Sequence, residues 1–380
     1  LDTACGIRVE ATWGRPTEIA VADLKKRLDG CDIQHLLVFF SGHDGDVLSA
    51  QLAAAFPGVP FSGCSTAGEI TPAGMQQGTL QVMAFPRNGF RVLTVAIEGL
   101  DRLGVEKTSD IVRELKRRLG AGHETPSKER AFALMLVDGL SNVEEVLIAA
   151  VGWAMGDIQI IGGSAGDGLE FKRTTLLHDG RALTNAALLI LVESSFPFRV
   201  FKSQNFEPTQ TKLVVTAADA ENRIVYELNA EPAAREYASA IGLLPNDLGP
   251  FSFASYPLVV KVGGNYYCRS IRNMNPDGSL AFFCAIDEGL VLTVARPQDM
   301  FTATADTLGD VDRSLGGIDC AIAFDCVLRR LDAENRQIWR QVDELYRKYR
   351  LFGFHTYGEQ YNSMHLNQTL TGIAFGSRRT

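Results

Sequence analysis

Gly63-Cys64-Ser65-Thr66-Ala67-Gly68-Glu69 is one of three copies of a phrase; the others read Gly162-Gly163-Ser164-Ala165-Gly166-Asp167 and Gly353-Phe354-His355-Thr356-Tyr357-Gly358-Glu359. Each opens on glycine, runs through a short hydroxyl-bearing stretch and closes on glycine and a carboxylate. Self-similarity of this kind shows how a chain is built before any motif is assigned. The copies also differ, and the third alone carries a histidine and a tyrosine.

The flanks repeat as well. Leu36-Leu37-Val38-Phe39-Phe40 is a short apolar run ended by Ser41-Gly42, the pattern of a buried strand. Leu48, Leu52 and Ala55 follow at helical spacing until Pro57-Gly58 stops the helix, and a closing strand follows the phrase at 78–85. The second unit has a strand at 132–137, a helical stripe of Val146, Leu147, Ala150, Val151 and Ala154, and a closing strand at 186–192. Ser141 with Glu144 three residues on predicts a capping box at the start of that helix. The third unit has Ala321-Ile322-Ala323-Phe324 as its strand, a charged helix marked by Ile338, Val342, Leu345 and Tyr349, and a closing strand at 369–375.

A helix between two strands calls for a crossover and a partly parallel sheet, and the apolar run after each phrase adds an antiparallel pair. The expected fold is α/β: repeated strand–helix–strand–strand units in mixed sheets covered by helices, with an inserted, mostly antiparallel element before the third unit. In that insert, Leu213-Val214-Val215 and Ile224-Val225-Tyr226 read as a hairpin, 232–241 as a short helix, and Asn275-Pro276-Asp277-Gly278 as a turn between strands. The boundary falls between 197 and 212. This gives an N-terminal segment 1–29, a two-repeat domain 30–205 and a second domain 206–380 holding the insert and the third repeat.

The 380 residues carry 37 Lys and Arg against 45 Asp and Glu, a net charge of −8 with no basic stripe, so nucleic acid is not an expected partner. No apolar run reaches the roughly 18 to 20 residues of a membrane span. Leu1-Asp2-Thr3-Ala4-Cys5 lacks the features of a signal peptide, and a cytoplasmic location is expected. The seven cysteines are odd in number and several lie in apolar runs, which reads as free buried thiols; with no Cys-x-x-Cys pair, no structural zinc site is expected.

The phrase glycines suit either a phosphate cradle or tight bends where strands cross, but Glu69 and Glu359 stand where a phosphate-binding loop has its lysine. Cys64 beside Ser65 raises a nucleophile, and with it a cysteine-dependent hydrolase, against the commoner reading of a small buried hydrophobe. Glu69, Asp167 and Glu359 offer an acid/base set or simply acceptors for their own turns. Of the six histidines, His35, His43, His123 and His178 lie in strand-start or turn contexts, and no two have metal-site spacing on a helix. His355 and His365 share one aromatic segment with Phe352, Phe354, Tyr357 and Tyr361, and haem needs an axial imidazole and an apolar, aromatic slot.

At these residues the chain resembles the FIST family of bacterial sensory proteins. The resemblance rests on Gly63-Cys64-Ser65-Thr66-Ala67-Gly68-Glu69-Ile70, on Gly353-Phe354-His355-Thr356-Tyr357-Gly358-Glu359 with His365-Leu366-Asn367-Gln368-Thr369 after it, and on Phe324-Asp325-Cys326-Val327-Leu328-Arg329. It implies a non-catalytic, ligand-sensing module that signals to a separate histidine kinase or cyclic-di-nucleotide enzyme, with a homodimer as a candidate assembly. The two-part architecture is most similar to the haem-binding nitric-oxide sensors of the NosP branch. That implies haem b with His355 as axial ligand and His365 as runner-up, and Phe354, Thr356, Tyr357 and Glu359 around it. The alternative is a haem-free module taking a small metabolite such as an amino acid through Ser65, Thr66, Glu69, Cys64 and Arg329.

Overall fold

The computed structural model describes residues 1–121, 126–262 and 264–377. His123 lies outside the described residues. The first 100 residues run β1 (Arg8–Trp13), α1 (Thr17–Arg27), β2 (Ile33–Phe40), α2 (Gly45–Ala55), β3 (Phe61–Ser65), β4 (Glu69–Thr71), β5 (Gly74–Gln76), β6 (Thr79–Pro86) and β7 (Phe90–Glu98). After α3 (Val105–Gly120), the second unit is β8 (Ala131–Val137), α4 (Glu144–Met155), β9 (Gln159–Ser164), β10 (Leu176–His178), β11 (Arg181–Leu183) and β12 (Ala186–Ser194), followed by β13 (Phe198–Gln204).

The insert comprises β14 (Phe206–Asp219), β15 (Ile224–Leu228), β16 (Glu231–Pro232), α5 (Ala233–Ile241), α6 (Pro250–Ser255), β17 (Leu258–Val262), β18 (Asn265–Arg269), β19 (Ile271–Met274), β20 (Leu280–Phe282) and β21 (Val291–Pro297). Its strands pair antiparallel in the order β18-β17-β21-β14-β15-β20-β19, with β16 on β15. Then come α7 (Met300–Leu315), β22 (Cys320–Cys326), α8 (Val327–Asn335), α9 (Trp339–Lys348), β23 (Leu351–Thr356), β24 (Glu359–Tyr361), β25 (Met364–Leu366) and β26 (Thr369–Phe375).

The α/β reading holds, and the three units share one strand order. Their sheets run β1-β6-β2-β3-β10-β11, β7-β12-β8-β9-β24-β25 and β13-β26-β22-β23-β4-β5. In each, the closing strand is antiparallel to the first strand, and the first is parallel to the phrase-bearing strand. The leading glycines hold the same register, Gly63 beside Val38, Gly162 beside Met135 and Gly353 beside Ala323.

Each phrase is followed by a hairpin of two three-residue strands that the sequence reading did not contain, and each hairpin leaves its own unit. β4–β5 of the first unit pairs with β23 of the third, β24–β25 of the third with β9 of the second, and β10–β11 of the second with β3 of the first. The exchange is cyclic.

The inner faces of the three sheets meet in one core. Phe39, Leu136 and Phe324 hold the same register position in the three first strands, and all three are buried there. Phe354 packs its ring on Phe39 (centroids 4.7 Å apart) and on Phe324 (5.5 Å). Its counterparts are Cys64 and Gly163, and a Cβ at Gly163 would strike the Thr356 methyl and come within 3.1 Å of the Phe354 ring. The leading glycines are likewise needed in mid-strand rather than at bends. A Cβ there would strike the carbonyl of Val38, Met135 or Ala323 in the adjacent strand.

Two local expectations fail. The helix after β8 begins at Glu144 with Val143 at its N-cap, and the Ser141 hydroxyl has no partner. Glu144 is drawn off instead by Arg223 of the insert, 2.6 Å away and equally buried, so no capping box forms. The third unit has two helices, because β22 passes directly into α8 before the expected helix, α9.

Filling the glycine position opposite Phe354 tests the shared core. Gly163→Val should cost about 2–3 kcal/mol through overpacking, read as a lower urea midpoint; an unchanged midpoint would contradict the packing described.

Candidate functional site

The carboxyl ends of the three parallel strand pairs are where the phrases turn out of their sheets, and open α/β sheets bind ligands at such ends. Clefts open at the first-unit and third-unit ends. The first-unit cleft, about 590 Å³, is lined by Ser41, His43, Ser65, Thr66 and Gln77 with Asp167 and Arg173 from the second unit. The third-unit cleft, about 430 Å³, is lined by Met75, Gln76 and Gln77 of the first unit and by Arg330, Glu334, Trp339 and His355.

His355, next to last in β23, lies directly beside Asp325 of β22. The ring is fully buried, and neither of its nitrogens makes a hydrogen bond; Asp325 Oδ2 stands 3.5 Å from Nδ1. Burial lowers the imidazole's pKa and Asp325 opposes that shift, so the ring is neutral near pH 7. Asp325 is itself held from behind, by Arg329 Nε at 2.8 Å and the Tyr346 hydroxyl at 3.0 Å. The cleft's other wall is Arg330, which donates to the Ala67 carbonyl at 2.6 Å and to the Gln77 amide oxygen at 2.7 and 2.8 Å, and pairs with Glu334 at 3.3 Å.

The remaining sequence candidates are dispersed. Phe354 follows strand alternation and points away from His355 into the central core, so it lines no cleft. Arg329 is fully buried, with all three guanidinium nitrogens engaged by Asp325, Asn205 and Thr304, so it is not free to meet a metabolite. Cys64 also lies in the central core, and burial first, then Glu69, pushes its thiol well above the ordinary value. Tyr357 packs on Phe171 and Phe283, and its hydroxyl bonds Asp167. His365 lines neither cleft. Its Nδ1 meets Gln360 Nε2 at 3.1 Å, its Nε2 has no partner, and its ring fills the space where Gly358 lacks a Cβ.

Ser65 accepts the Thr175 main-chain N–H at 2.9 Å and still borders the first-unit cleft. Thr66 donates to Glu69 at 2.5 Å, Ser41 does so at 2.9 Å, and Thr356 donates to Glu359, which also takes the Thr369 hydroxyl at 2.7 Å. These glutamates therefore latch their own hairpins. Asp167 is not their counterpart, since the register places Leu176 at that position in the second unit. Asp167 instead organises the following loop through the N–H groups of Phe171, Lys172 and Arg173, each at 2.8 Å.

Sequence reading missed Asp325, Arg330, Gln77, Met75 and Trp339. Asp325 had a signal. It occupies the position of Phe40 and Val137 in the other first strands, and a carboxylate there is as conspicuous as a histidine in place of Ser65 and Ser164.

The residues at His355 offer part of what an axial haem site needs: a buried imidazole whose Nε2 has no protein partner, a carboxylate 3.5 Å from Nδ1 as ligating histidines have, and Met75 and Trp339 in the cleft lining.

Burial raises the carboxyl of Glu69 to about 7 and that of Glu359 to about 8 against the hydroxyl and main-chain donors that lower them. Between an ordinary 4.5 and those values the folded chain holds protons that the unfolded chain has released, so these groups make stability fall as pH rises. The buried histidines, His35 among them at about 3, act in the opposite sense up to their ordinary 6.5, where the unfolded chain takes up protons. About one unit above 6.5 the unfolded histidines have lost their protons, and only the glutamates of this set still titrate. Urea-unfolding free energies of the parent should decline from about pH 7.5 to 9, and the Glu69→Gln/Glu359→Gln variant should decline less; equal slopes would contradict the assignment.

Comparison with known families gives two adjoining matches, the FIST N domain over residues 34–231 and the FIST C domain over residues 233–362. No curated protein matches the chain. Among the described residues, no helix is long and apolar enough to cross a membrane. With one match alone spanning more than half its length, the chain belongs to the FIST family, whose domains are sensory, ligand-binding domains of signal transduction.

Proposed function

We propose that this FIST protein is a haem-based nitric-oxide sensor, with His355 as axial ligand, that regulates a separate histidine kinase or cyclic-di-nucleotide enzyme. The observation that carries the reading is the buried, neutral His355 ring with no hydrogen bond of its own and Asp325 behind it. When bound, haem supplies an iron whose open face takes a diatomic gas.

The chain's own groups do the rest. His355 Nε2 would hold the iron, Asp325, whose Oδ2 stands 3.5 Å from Nδ1, would orient the ring by accepting the Nδ1–H, and Arg329 and Tyr346 hold Asp325 in place by donating to it. Displacement at His355 has a path outward. Its main-chain N–H donates to Gly68 at 2.7 Å and its carbonyl accepts from Ala67 at 3.0 Å, so it moves with the first unit's turn. Gln77 of that unit borders both clefts.

A second reading is favoured by one observation: the first-unit cleft is the larger, and Ser65, Thr66, His43 and Arg173 line it with hydroxyl, imidazole and guanidinium groups. These suit a small polar metabolite such as an amino acid.

Hemin titration separates the two. Parent protein should develop a saturating Soret band, His355→Ala should lose it, and Asp325→Asn should bind about 10–100-fold more weakly. His365→Ala should match the parent. No Soret shift in the parent, with thermal stabilisation by amino acids abolished in Ser65→Val, would select the metabolite reading.

A further inference from the structure

The third repeat begins at a cluster far from either cleft. Cys5 and Cys320, 315 residues apart in the chain, bring their sulfurs to 3.8 Å in the buried interior. Asp319 completes the group, and one ligand atom from each of the three lies within 4.8 Å of the others. We propose that Cys5, Cys320 and Asp319 form a binding site for a thiophilic divalent cation, of which zinc is the best match.

Bond lengths support this. Zinc–sulfur bonds of about 2.3 Å at the tetrahedral angle put two sulfurs about 3.8 Å apart, so both thiolates can bind one ion where they stand. The carboxylate supplies a third ligand. Its oxygens accept the main-chain N–H of Ala4 at 2.9 Å and of Cys5 at 2.7 Å, which fixes its orientation and leaves lone pairs free on each oxygen. The Thr3 hydroxyl, 3.2 Å from the Cys5 sulfur, donates to the Ile7 carbonyl at 2.7 Å. Charge also balances. Binding releases the two thiol protons, and the ion offsets two of the three resulting negative charges while Arg350, 3.5 Å from Asp319, offsets the third.

The ion would tie the N-terminal arm to the first residue of β22. That arm is also held by the Asp319 bonds, the Asp2–Arg8 bridge, the bond from Arg350 to the Asp2 carbonyl and the bond from the Leu1 amino group to the Val9 carbonyl.

The test uses the whole reduced chain and cobalt(II) as the probe. A thiolate-to-cobalt charge-transfer band should saturate at one equivalent, disappear in Cys5→Ser and in Cys320→Ser, and be displaced by zinc. Cys31→Ser, which changes the half-buried thiol beside Arg8, should leave it unchanged. Circular dichroism confirms folding, and should Cys320→Ser fail to fold, Cys5→Ser in the arm carries the test. No band in the parent, a band surviving in Cys5→Ser, or a Cys5–Cys320 disulfide recovered from protein purified with zinc would each overturn the proposal.

Discussion

An open strand edge is the constraint on which this molecule depends. Each repeat builds a parallel pair whose outer strand, β3, β9 or β23, would end its sheet with unpaired main-chain groups. Such an edge invites unwanted pairing. Here every one is covered by a hairpin from another repeat, in a closed cycle, so no repeat completes its own sheet. The phrases sit at the joints of that cycle. A ligand at a phrase therefore touches two repeats at once, and that is a physical basis for sensing, because a ligand can shift only an arrangement with which it interacts differentially.

Common backbone and divergent side chains explain why the joints are not alike. The position of Ser65 and Ser164 becomes His355, and that of Phe40 and Val137 becomes Asp325, so only the third joint pairs an imidazole with a carboxylate. Burying that carboxylate is costly unless it is paired and hydrogen-bonded. Arg329, Tyr346, Asn205 and Thr304 form the network that meets this cost, which accounts for a fully buried arginine close to the cleft but not in it. The glutamates of the first and third phrases serve the hairpins, and a leucine suffices in the second because Asp167 organises a longer loop there.

Much of the fold was legible because hydrophobic period and self-similarity are local. The strands at 36–40, 132–137 and 321–324, the helices after them and the hairpin before Ile224 all stand where the pattern placed them. Hairpins of three-residue strands are too short to show alternation, and their exchange depends on partners 112 or more residues away, as with Leu176 and Cys64 or Gln360 and Gly162. Comparison of the copies singled out His355, and it lines the third-unit cleft. The site was misread where a side chain's direction decided the matter: Phe354 faces the core, and Arg329 is spent on Asp325. The meeting of Cys5 and Cys320 has no local signature at all, since only the fold brings together residues 315 apart in the chain.

The central claim is that the three repeats form one cooperative body through exchanged hairpins, and native-state hydrogen exchange read by mass spectrometry tests it most directly. The account predicts that amides of β4–β5, β10–β11 and β24–β25 exchange only by global unfolding, with the same free energy and denaturant dependence as the central strands β2, β8 and β22. Hairpins that open alone at much lower free energy, or a third repeat that unfolds while the first two stay protected, would contradict it.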